Sequence, residues 1–193
     1  LMRSLSKKLI LASQSPRRSQ LLAEAGFTFR IQTSPIDESF PPEMPVAEVA
    51  LFLAKQKAIA AKHFLTDSDE ILITADSVVI LGEQIFNKPA DANEAHKMLR
   101  ALSGQTHEVI TGVCLLSLDR GEVLAGHSLV TMQQMSDEEI EYYVQNYQPY
   151  DKAGAYAIQE WIGRCKVSKI EGTYTNIMGL PMDLVYHALI NWP

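Results

Sequence analysis

Hydrophobic and polar residues follow two different periods along the chain, and each period predicts its own type of element. Short apolar runs bounded by turn residues are typical of strands, whereas apolar residues spaced three and four apart are typical of helices. The runs that predict strands are 9–12, 27–32, 71–81, 107–118, 123–133 and 165–170. The stretches with helical spacing are 16–25, 45–63, 91–102, 136–147 and 181–191. Because strands and helices interleave, we predict a layered α/β domain.

Turn residues indicate how some of these elements connect. Gly82-Glu83 is typical of a two-residue hairpin turn. In that register Ser77 faces Lys88 across the hairpin, with the residue before Ser77 close by. Hairpins predict a mixed sheet rather than a purely parallel one. Polar and glycine residues in 172–176 predict a loop there.

Composition and charge exclude two classes of partner. The 193 residues are 47% hydrophobic and 21% charged, with a formal net charge of −6. We expect no membrane partner, because no window reaches the roughly 18 consecutive apolar residues of a membrane span. A nucleic acid polymer is not expected either, because its binding requires clustered Lys and Arg. A small anionic ligand needs only a few cations at one place, so it stays compatible with this balance.

The N-terminus and the cysteines indicate the compartment. Residues 1–8 form a basic extension, and the apolar stretch after them ends at Ala12, which is too short for the core of a signal peptide. Cys114 and Cys165 lie far apart in strand-like segments without a CxxC motif, which predicts reduced thiols. We therefore expect a cytoplasmic protein with a single domain over 9–193.

The first predicted strand-to-helix turn is crowded with polar side chains. Ser13, Ser15, Arg17 and Arg18 combine two hydroxyls and two guanidiniums with the positive end of a helix. This combination predicts an anion cradle. The plainer alternative is an ordinary N-cap followed by two solvated arginines, and the residues alone favour neither interpretation.

A lone carboxylate interrupts the most apolar predicted strand. Asp76 has five mainly apolar residues on its N-terminal side and a further apolar run after Ser77. A charge in such surroundings costs several kcal/mol unless a cation, a metal or strong hydrogen bonds compensate it. A functional carboxylate is favoured over a structural ion pair or a bend between strands. Glu38, in an exposed loop, is the second acid placed to share a hard cation such as Mg²⁺.

Three lysines lie beside rigid turns or on an apolar face. Lys57 falls on the apolar stripe of the predicted helix 45–63, whereas Lys55 falls on the opposite face. Lys88 and Lys152 each lie next to turn residues. The three could hold a polyphosphate tail together, although solvated charge is the usual fate of a lysine.

Several common catalytic motifs are absent from the sequence. It contains no P-loop, no GxGxxG after a strand, no GxSxG elbow and no His/Cys metal spacing, and its five histidines are scattered. A His-based nucleophilic triad is therefore not expected.

Eight segments, in order along the chain, resemble the signature segments of the Maf family. They are Ser13–Arg18, Ile36–Glu38, Lys57–Ala58, Ala75–Val79, Asn87–Pro89, Leu102–His107, Asp151–Tyr156 and the glycine and tyrosine pattern of Gly172–Pro181. The resemblance runs from about Leu9 to the C-terminus. It is specific because the whole ordered series is reproduced.

The resemblance implies a fold and an activity. The fold would be like that of the inosine-triphosphate pyrophosphatases, an elongated α/β structure whose strongly curved mixed sheet has flanking helices and two lobes around a nucleotide cleft. The activity would be hydrolysis of a nucleoside triphosphate to the monophosphate and pyrophosphate. The segment 151–159 resembles the subgroup that acts on dTTP and UTP, although Trp161-Ile162 departs from the glycine-rich sequence expected there. A 7-methyl-GTP pyrophosphatase and a nucleotide-binding inhibitor of septum formation are the alternatives.

The same resemblance assigns roles to residues. Asp76 resembles the catalytic base, and the other catalytic positions are Glu38, Lys57 and Lys88. Glu38 and Asp76 would hold a divalent cation, Mg²⁺ or Mn²⁺. The substrate-binding set comprises Ser13, Ser15, Arg17, Arg18, Ser77, Lys152 and Gln159, of which Arg17, Ser77 and Gln159 resemble specificity positions. A homodimer is common in the family.

Gln159 is expected to contact the nucleotide base. Uracil and thymine present an N3–H donor between two carbonyl acceptors, and a Gln amide matches one donor and one acceptor of that edge. Cytosine has no N3–H, so the same pair of bonds fails. The alternative is that Gln159 caps its own loop and never meets the base.

Overall fold

A computed structural model describes residues 7–193 and contains the alternation of strands and helices that the sequence predicts. The strands are β1 (Lys8–Leu11), β2 (Phe29–Ile31), β3 (Glu70–Leu81), β4 (Gln84–Phe86), β5 (Thr106–Leu116), β6 (Gly121–Met132) and β7 (Val167–Glu171). The helices are α1 (Pro16–Glu24), α2 (Val46–Ala61), α3 (Ala92–Leu102), α4 (Asp137–Tyr147), α5 (Trp161–Cys165), α6 (Tyr174–Met178) and α7 (Met182–Ile190). Short 3₁₀ turns occupy Lys62–Phe64 and Ala153–Ala155. None of the helices in this described part is long and apolar enough to span a bilayer.

The described strands form a seven-stranded mixed sheet with flanking helices, which confirms the predicted fold class. Its order is β2-β1-β3-β5-β6-β7, and β4 pairs with β3 outside this path. Strand β1 is parallel to β2 and β3, whereas the pairs β3–β4 and β6–β7 are antiparallel. Strand β3 runs unbroken through Asp76 and Ser77, so there is no bend between two strands at this point. Val79 pairs with Phe86, which is the register predicted for this hairpin, but β4 ends at Phe86, so the facing of Ser77 and Lys88 stays a prediction.

The chain divides into two compact units. The first comprises residues 7–76, 111–126 and 179–193, and the second comprises 77–110 and 127–178. Strands β3, β5 and β6 each pass from one unit to the other along the chain. The curved, elongated shape, the nucleotide cleft and the single domain over 9–193 stay predictions. The predicted extension 1–8 lies outside the described residues except for its last two, and Lys8 already begins β1.

The core of the first unit is built by β1, β3 and the apolar face of α2. The inner residues of β1 and β3 are buried, as are Ala50 and Ala54 of α2. Thr74 Oγ1 donates to the Ala54 carbonyl oxygen at 2.7 Å, which ties β3 to the helix. A Cβ added at Gly112 of β5 would lie 2.5 Å from the Ala50 carbonyl oxygen, so this close approach requires glycine.

The core of the second unit contains α3 and α4. The sequence predicts that Asp91 and Ser136 cap these helices and that Tyr143 is on the inner face of α4, and the structure agrees. Asp91 caps α3 by accepting from Glu94 N at 2.8 Å. Ser136 and Glu139 form a complete capping box at the start of α4. The buried residues of these helices are Ala95, Met98, Leu99, Leu102, Ile140, Tyr143 and Val144.

Three local predictions are wrong. Apolar and polar residues alternate over 27–32, which predicts that Ile31 faces the core, but β2 is a three-residue strand at the sheet edge and leaves this side chain 53% exposed. Cys165 ends helix α5 rather than lying in a strand. The segment predicted as a loop over 172–176 instead starts helix α6, in which the buried Asn176 amide donates to the Val109 carbonyl and to Ser128 Oγ. Such tertiary hydrogen bonds override the local preference of a polar segment for a loop.

Candidate active site

The turn between β1 and α1 presents the N-terminus of a helix. Ser15 is the N-cap residue and Pro16 the first helical residue, as predicted, but the Ser15 side chain makes no capping hydrogen bond. The buried Ser13 instead closes the turn before the helix, because its Oγ accepts from Ser15 N at 3.2 Å. Arg17 is partly buried in the first turn of α1. The helix N-terminus and an arginine therefore lie side by side, which is the composition of the predicted anion cradle.

Arg18 holds this turn against two other parts of the first unit. Its Nε donates to the Gly179 carbonyl oxygen at 2.8 Å, and its Nη1 donates to the Ala75 carbonyl oxygen at 2.9 Å and to Ser13 Oγ at 3.2 Å. Burial lowers the pKa of the Arg18 guanidinium, while the charge of Asp76 acts in the opposite direction. The alternative in which Arg18 is a solvated arginine is wrong, since it is bound to the residue directly before Asp76.

Asp76 is compensated by a cation, as its apolar surroundings require. Lys57 Nζ lies 2.5 Å from Asp76 Oδ1 and 2.7 Å from Glu38 Oε1. The side chains of Asp76 and Lys57 are only 14% and 15% exposed, whereas that of Glu38 is 48% exposed. Lys57 therefore extends from the inner side of α2 as predicted, and Lys55 on the opposite face is exposed. The structure brings together Glu38, Lys57 and Asp76, which come from a loop, a helix and a strand.

The donor chemistry of this cluster fits a hard divalent cation. Glu38 and Asp76 direct carboxylate oxygens at the same point, which Lys57 Nζ occupies, and oxygen ligands are those that Mg²⁺ prefers. Among residues 7–193 no group of three or more His, Cys, Asp and Glu side chains is arranged to hold a metal. An ion at Glu38 and Asp76 would thus need further oxygen ligands from substrate or water.

The remaining predicted site residues belong to the second unit. Ser77 follows Asp76 in β3 and is partly buried, and Lys88 is exposed just beyond β4. Lys152 is buried, and its Nζ lies 2.7 Å from Asp151 Oδ1 and 3.5 Å from Glu160 Oε1. Lys152 is therefore ion-paired rather than solvated.

Gln159 carries an unsatisfied polar atom. Its Oε1 is buried and accepts no hydrogen bond from the described residues. A buried acceptor without a donor costs about 1–3 kcal/mol unless another molecule supplies one. The alternative in which this oxygen caps its own loop is therefore not observed, and a ligand donor would satisfy it.

Two buried polar contacts in the second unit are not predicted from the sequence. Tyr143 OH bonds to Glu160, and His107 Nε2 lies 2.7 Å from Tyr156 OH. Burial lowers the pKa of His107 to about 4 and raises the pKa of Tyr156 above its usual range. Tyr143 was predicted on the inner face of its helix, and a buried tyrosine hydroxyl normally requires a partner, so this signal was present in the sequence. The sequence held no indication of which residue the partner would be.

Comparisons with known proteins match nearly the whole chain. A protein called dTTP/UTP pyrophosphatase from Porphyromonas gingivalis is 47% identical over 185 residues, which cover 94% of this chain and 92% of that protein. Proteins of the same name from Parabacteroides distasonis and Flavobacterium johnsoniae are each 45% identical, over 94% of this chain and 94% and 93% of their own. A crystal structure of a Vibrio cholerae protein covers 96% of both chains at 11% identity and a TM-score of 0.46.

The family comparison agrees with the ordered motifs. The sequence profile described as Maf-like protein matches residues 8–192, which is almost all of the chain. This span includes Glu38, Lys57 and Asp76 of the cluster as well as Gln159. The chain belongs to the Maf family.

Proposed function

We propose that this protein is a nucleoside triphosphate pyrophosphatase that hydrolyses dTTP and UTP to the monophosphate and pyrophosphate. The ion-paired cluster of Glu38, Lys57 and Asp76 is the observation that carries the chemistry. The names of relatives that are 45–47% identical support the choice of pyrimidine substrates. The free thiols Cys114 and Cys165 are compatible with the reducing cytoplasm that the sequence predicts.

In this proposal the turn before α1 binds the triphosphate. The first N–H groups of the helix and the Arg17 guanidinium are hydrogen-bond donors and partial or full positive charges, which suit phosphate oxygens. Arg18 supports these groups without binding phosphate itself, since its hydrogen bonds to Ser13 and Ala75 fix both the turn and the backbone next to Asp76. Binding that is fixed in advance in this way lowers the barrier through orientation rather than through covalent chemistry.

Asp76 is the proposed base that orients and deprotonates the attacking water. Lys57 contacts Oδ1 and so fixes the position of the carboxylate, which is the group that would accept the proton of the water. The bond that breaks joins the bridging oxygen to the α-phosphorus, and pyrophosphate leaves. The Lys57 charge beside the reacting phosphate would also offset charge that develops there.

Glu38 and Asp76 are the residues that would hold a divalent cation, Mg²⁺ or Mn²⁺. Such an ion, when bound, neutralises phosphate charge and helps to orient the triphosphate. The 48% exposure of Glu38 leaves this carboxylate open to the solution from which the ion would come.

Gln159 is proposed to contact the base. Its buried and unsatisfied Oε1 is an acceptor for the N3–H of uracil or thymine, and its Nε2 is a donor for a neighbouring carbonyl oxygen. Lys88, Ser77 and Lys152 keep the roles that the family resemblance implies, as proposals.

A pyrophosphate-release screen tests the proposal. Canonical nucleoside triphosphates and 7-methyl-GTP are each incubated with Mg²⁺, with Mn²⁺ and with a chelator, and released pyrophosphate is measured. We expect turnover of dTTP and UTP above that of CTP, and loss of turnover with the chelator. Stoichiometric nucleotide binding without pyrophosphate release would overturn the proposed enzyme in favour of a regulator. A preference for 7-methyl-GTP would overturn the proposed substrates.

A further inference from the structure

One buried hydroxyl in the second unit joins both ends of the segment that carries Gln159. Tyr143 of α4 is fully buried, and its OH donates to Glu160 Oε2. The Tyr143 hydroxyl oxygen also accepts a hydrogen bond from Ala157 N at 3.1 Å. Ala157 and Glu160 flank Gln159 on either side, so both flanks are attached to one atom of a helix.

Glu160 is fixed from a second direction by Lys152. The Lys152 Nζ lies 3.5 Å from Glu160 Oε1, and the two side chains are 10% and 21% exposed. Burial, together with the Glu160 carboxylate, raises the pKa of Tyr143, so its hydroxyl keeps its proton and remains a donor. The carboxylate thus has one partner on each oxygen, a hydroxyl and an ammonium.

The peptide before Gln159 is fixed by close packing. A Cβ built on Gly163 of α5 would lie 1.7 Å from the Ile158 carbonyl oxygen, a separation that no side chain tolerates. Helix α5 therefore packs directly on the Ile158 peptide. Gln159 lies between this packed peptide and the bonded Glu160, so its backbone position is determined from both sides.

The fixed position of the segment around Gln159 affects base selectivity, because a glutamine amide by itself does not distinguish uracil from cytosine. With Oε1 toward N3 and Nε2 toward O4, the amide matches uracil or thymine. Rotated by 180°, the same amide donates from Nε2 to cytosine N3 and accepts from the cytosine 4-amino group. Selectivity therefore requires that the amide be kept in one place and one orientation. The residues that hold the segment around Gln159 must provide this.

We propose that Tyr143, acting through Glu160 and the backbone of Ala157, is a positioning residue that holds Gln159 where its amide accepts the N3–H of uracil or thymine. This inference rests on the proposed function, whose substrate selectivity it explains. Tyr143 itself touches neither substrate nor reacting atoms in this proposal.

The test compares the ratio of kcat/KM for UTP to that for CTP in the wild type and in Tyr143→Phe. The substitution removes only the hydroxyl, because the ring stays packed against Tyr147 at a centroid distance of 4.8 Å. We expect the UTP to CTP ratio to fall roughly two- to tenfold, which corresponds to the loss of one hydrogen bond. Tyr142→Phe is the matched control, since Tyr142 is on the same helix but 48% exposed, and its ratio should stay unchanged.

A double-mutant cycle distinguishes positioning from a merely structural role. If Tyr143 acts through Gln159, Tyr143→Phe should produce no further change in the ratio when Gln159→Ala is already present. Glu160→Gln retains an oxygen that accepts from Tyr143 OH, so it should retain more of the ratio than Glu160→Ala does. General loosening of the fold would instead lower both substrates' kcat/KM together and leave their ratio constant.

The possible failures are distinguishable. An unchanged ratio in folded Tyr143→Phe, measured by circular dichroism and thermal unfolding, overturns the positioning role, as does an unchanged ratio in Gln159→Ala. If the wild type hydrolyses neither UTP nor dTTP, the proposed function fails. The positioning role is then tested by calorimetric binding of UMP and CMP, and a wild type that prefers neither overturns it as well.

Discussion

Lys57 is the residue on which the geometry of the candidate active site depends most directly. It contacts Asp76 and Glu38 through one nitrogen, at 2.5 Å and 2.7 Å. Like charges at roughly 5 Å repel by about 3 kcal/mol at an effective dielectric constant of 20. The ammonium offsets that repulsion, so the two carboxylates can lie close together.

Asp76→Asn should abolish turnover and leave the fold intact. The amide keeps the shape of the side chain but cannot accept a proton from water at neutral pH, and it is a weaker ligand for a cation. Steady-state kinetics of UTP hydrolysis check this, with Asp119→Asn in an exposed turn as the control. A variant that keeps more than about a tenth of wild-type kcat, a barrier change below roughly 1.4 kcal/mol, would remove Asp76 from the catalytic role.

Lys57→Ala should weaken the binding of a non-hydrolysable UTP analogue, and more so at low than at high ionic strength. The variant loses one positive charge beside the proposed triphosphate position and leaves the substrate nearer to the negative charges of Asp76 and Glu38. Calorimetric titrations at both ionic strengths measure the effect. Lys55→Ala, on the opposite face of the same helix, should bind as the wild type does. A defect of equal size at both salt concentrations would indicate lost packing instead.

At the scale of elements, the candidate site depends on how tightly α2 packs on the sheet. The helix carries Lys57, and the backbone of Ala50 and Leu51 lies against Gly112 of β5. Thr74 of β3 adds a hydrogen bond to the same helix at Ala54. The distance between Lys57 on the helix and Asp76 on the strand is thus set by backbone packing along α2.

Gly112→Ala should lower the free energy of unfolding by about 1–3 kcal/mol, because the added methyl group overpacks the contact between helix and strand. Its Cβ would lie 2.5–2.6 Å from the backbone of Ala50 and Leu51, which cannot move independently of α2. Urea denaturation of both forms measures the change. In Gly121→Ala the nearest atom is 3.4 Å away, so this control should be close to neutral. Equal stability of both variants would contradict the tight packing.

The sequence predicts elements well where hydrophobic pattern and helix caps agree. It fails where contacts between residues far apart in the sequence determine the local structure. The hairpin at Gly82-Glu83, the capped helices α3 and α4, and the inward direction of Lys57 are all confirmed. Helix α6 was missed because the contacts of Asn176 with Val109 and Ser128 come from far along the chain. The link from Tyr143 to Glu160 was missed for the same reason, since no local spacing encodes it.

At the scale of the whole molecule, acid stability should be limited by a buried imidazole. His107 is 1% exposed, and burial lowers its pKa from the ordinary value of 6.5 to about 4. Between pH 6.5 and about 4, His107 therefore binds a proton in the unfolded chain but not in the folded chain. The free energy of unfolding falls as the pH drops through this window, because protonation favours the unfolded state.

His107→Gln should remove this component of the pH dependence. Relative to the wild type, the variant should lose less stability between pH 6.5 and about 4, by at most about 3 kcal/mol. Urea denaturation across this range gives both curves, and their difference isolates His107 from the carboxylates that titrate in both proteins. His63→Gln, at an exposed position, is the control and should parallel the wild type. Parallel curves for His107→Gln would show that this imidazole does not limit acid stability.

The passage of the chain between the two units has a consequence for inheritance. The chain changes unit inside β3, β5 and β6 and again between Met178 and Gly179, so neither unit is encoded by one uninterrupted stretch of the gene. Exchange of a whole unit between relatives by recombination would need four crossovers. Three of them would fall within the gene segments that encode β3, β5 and β6. A single crossover between residues 77 and 178 instead makes both units mosaics of two parents. New specificities in this molecule are therefore expected to arise by point substitution rather than by module exchange.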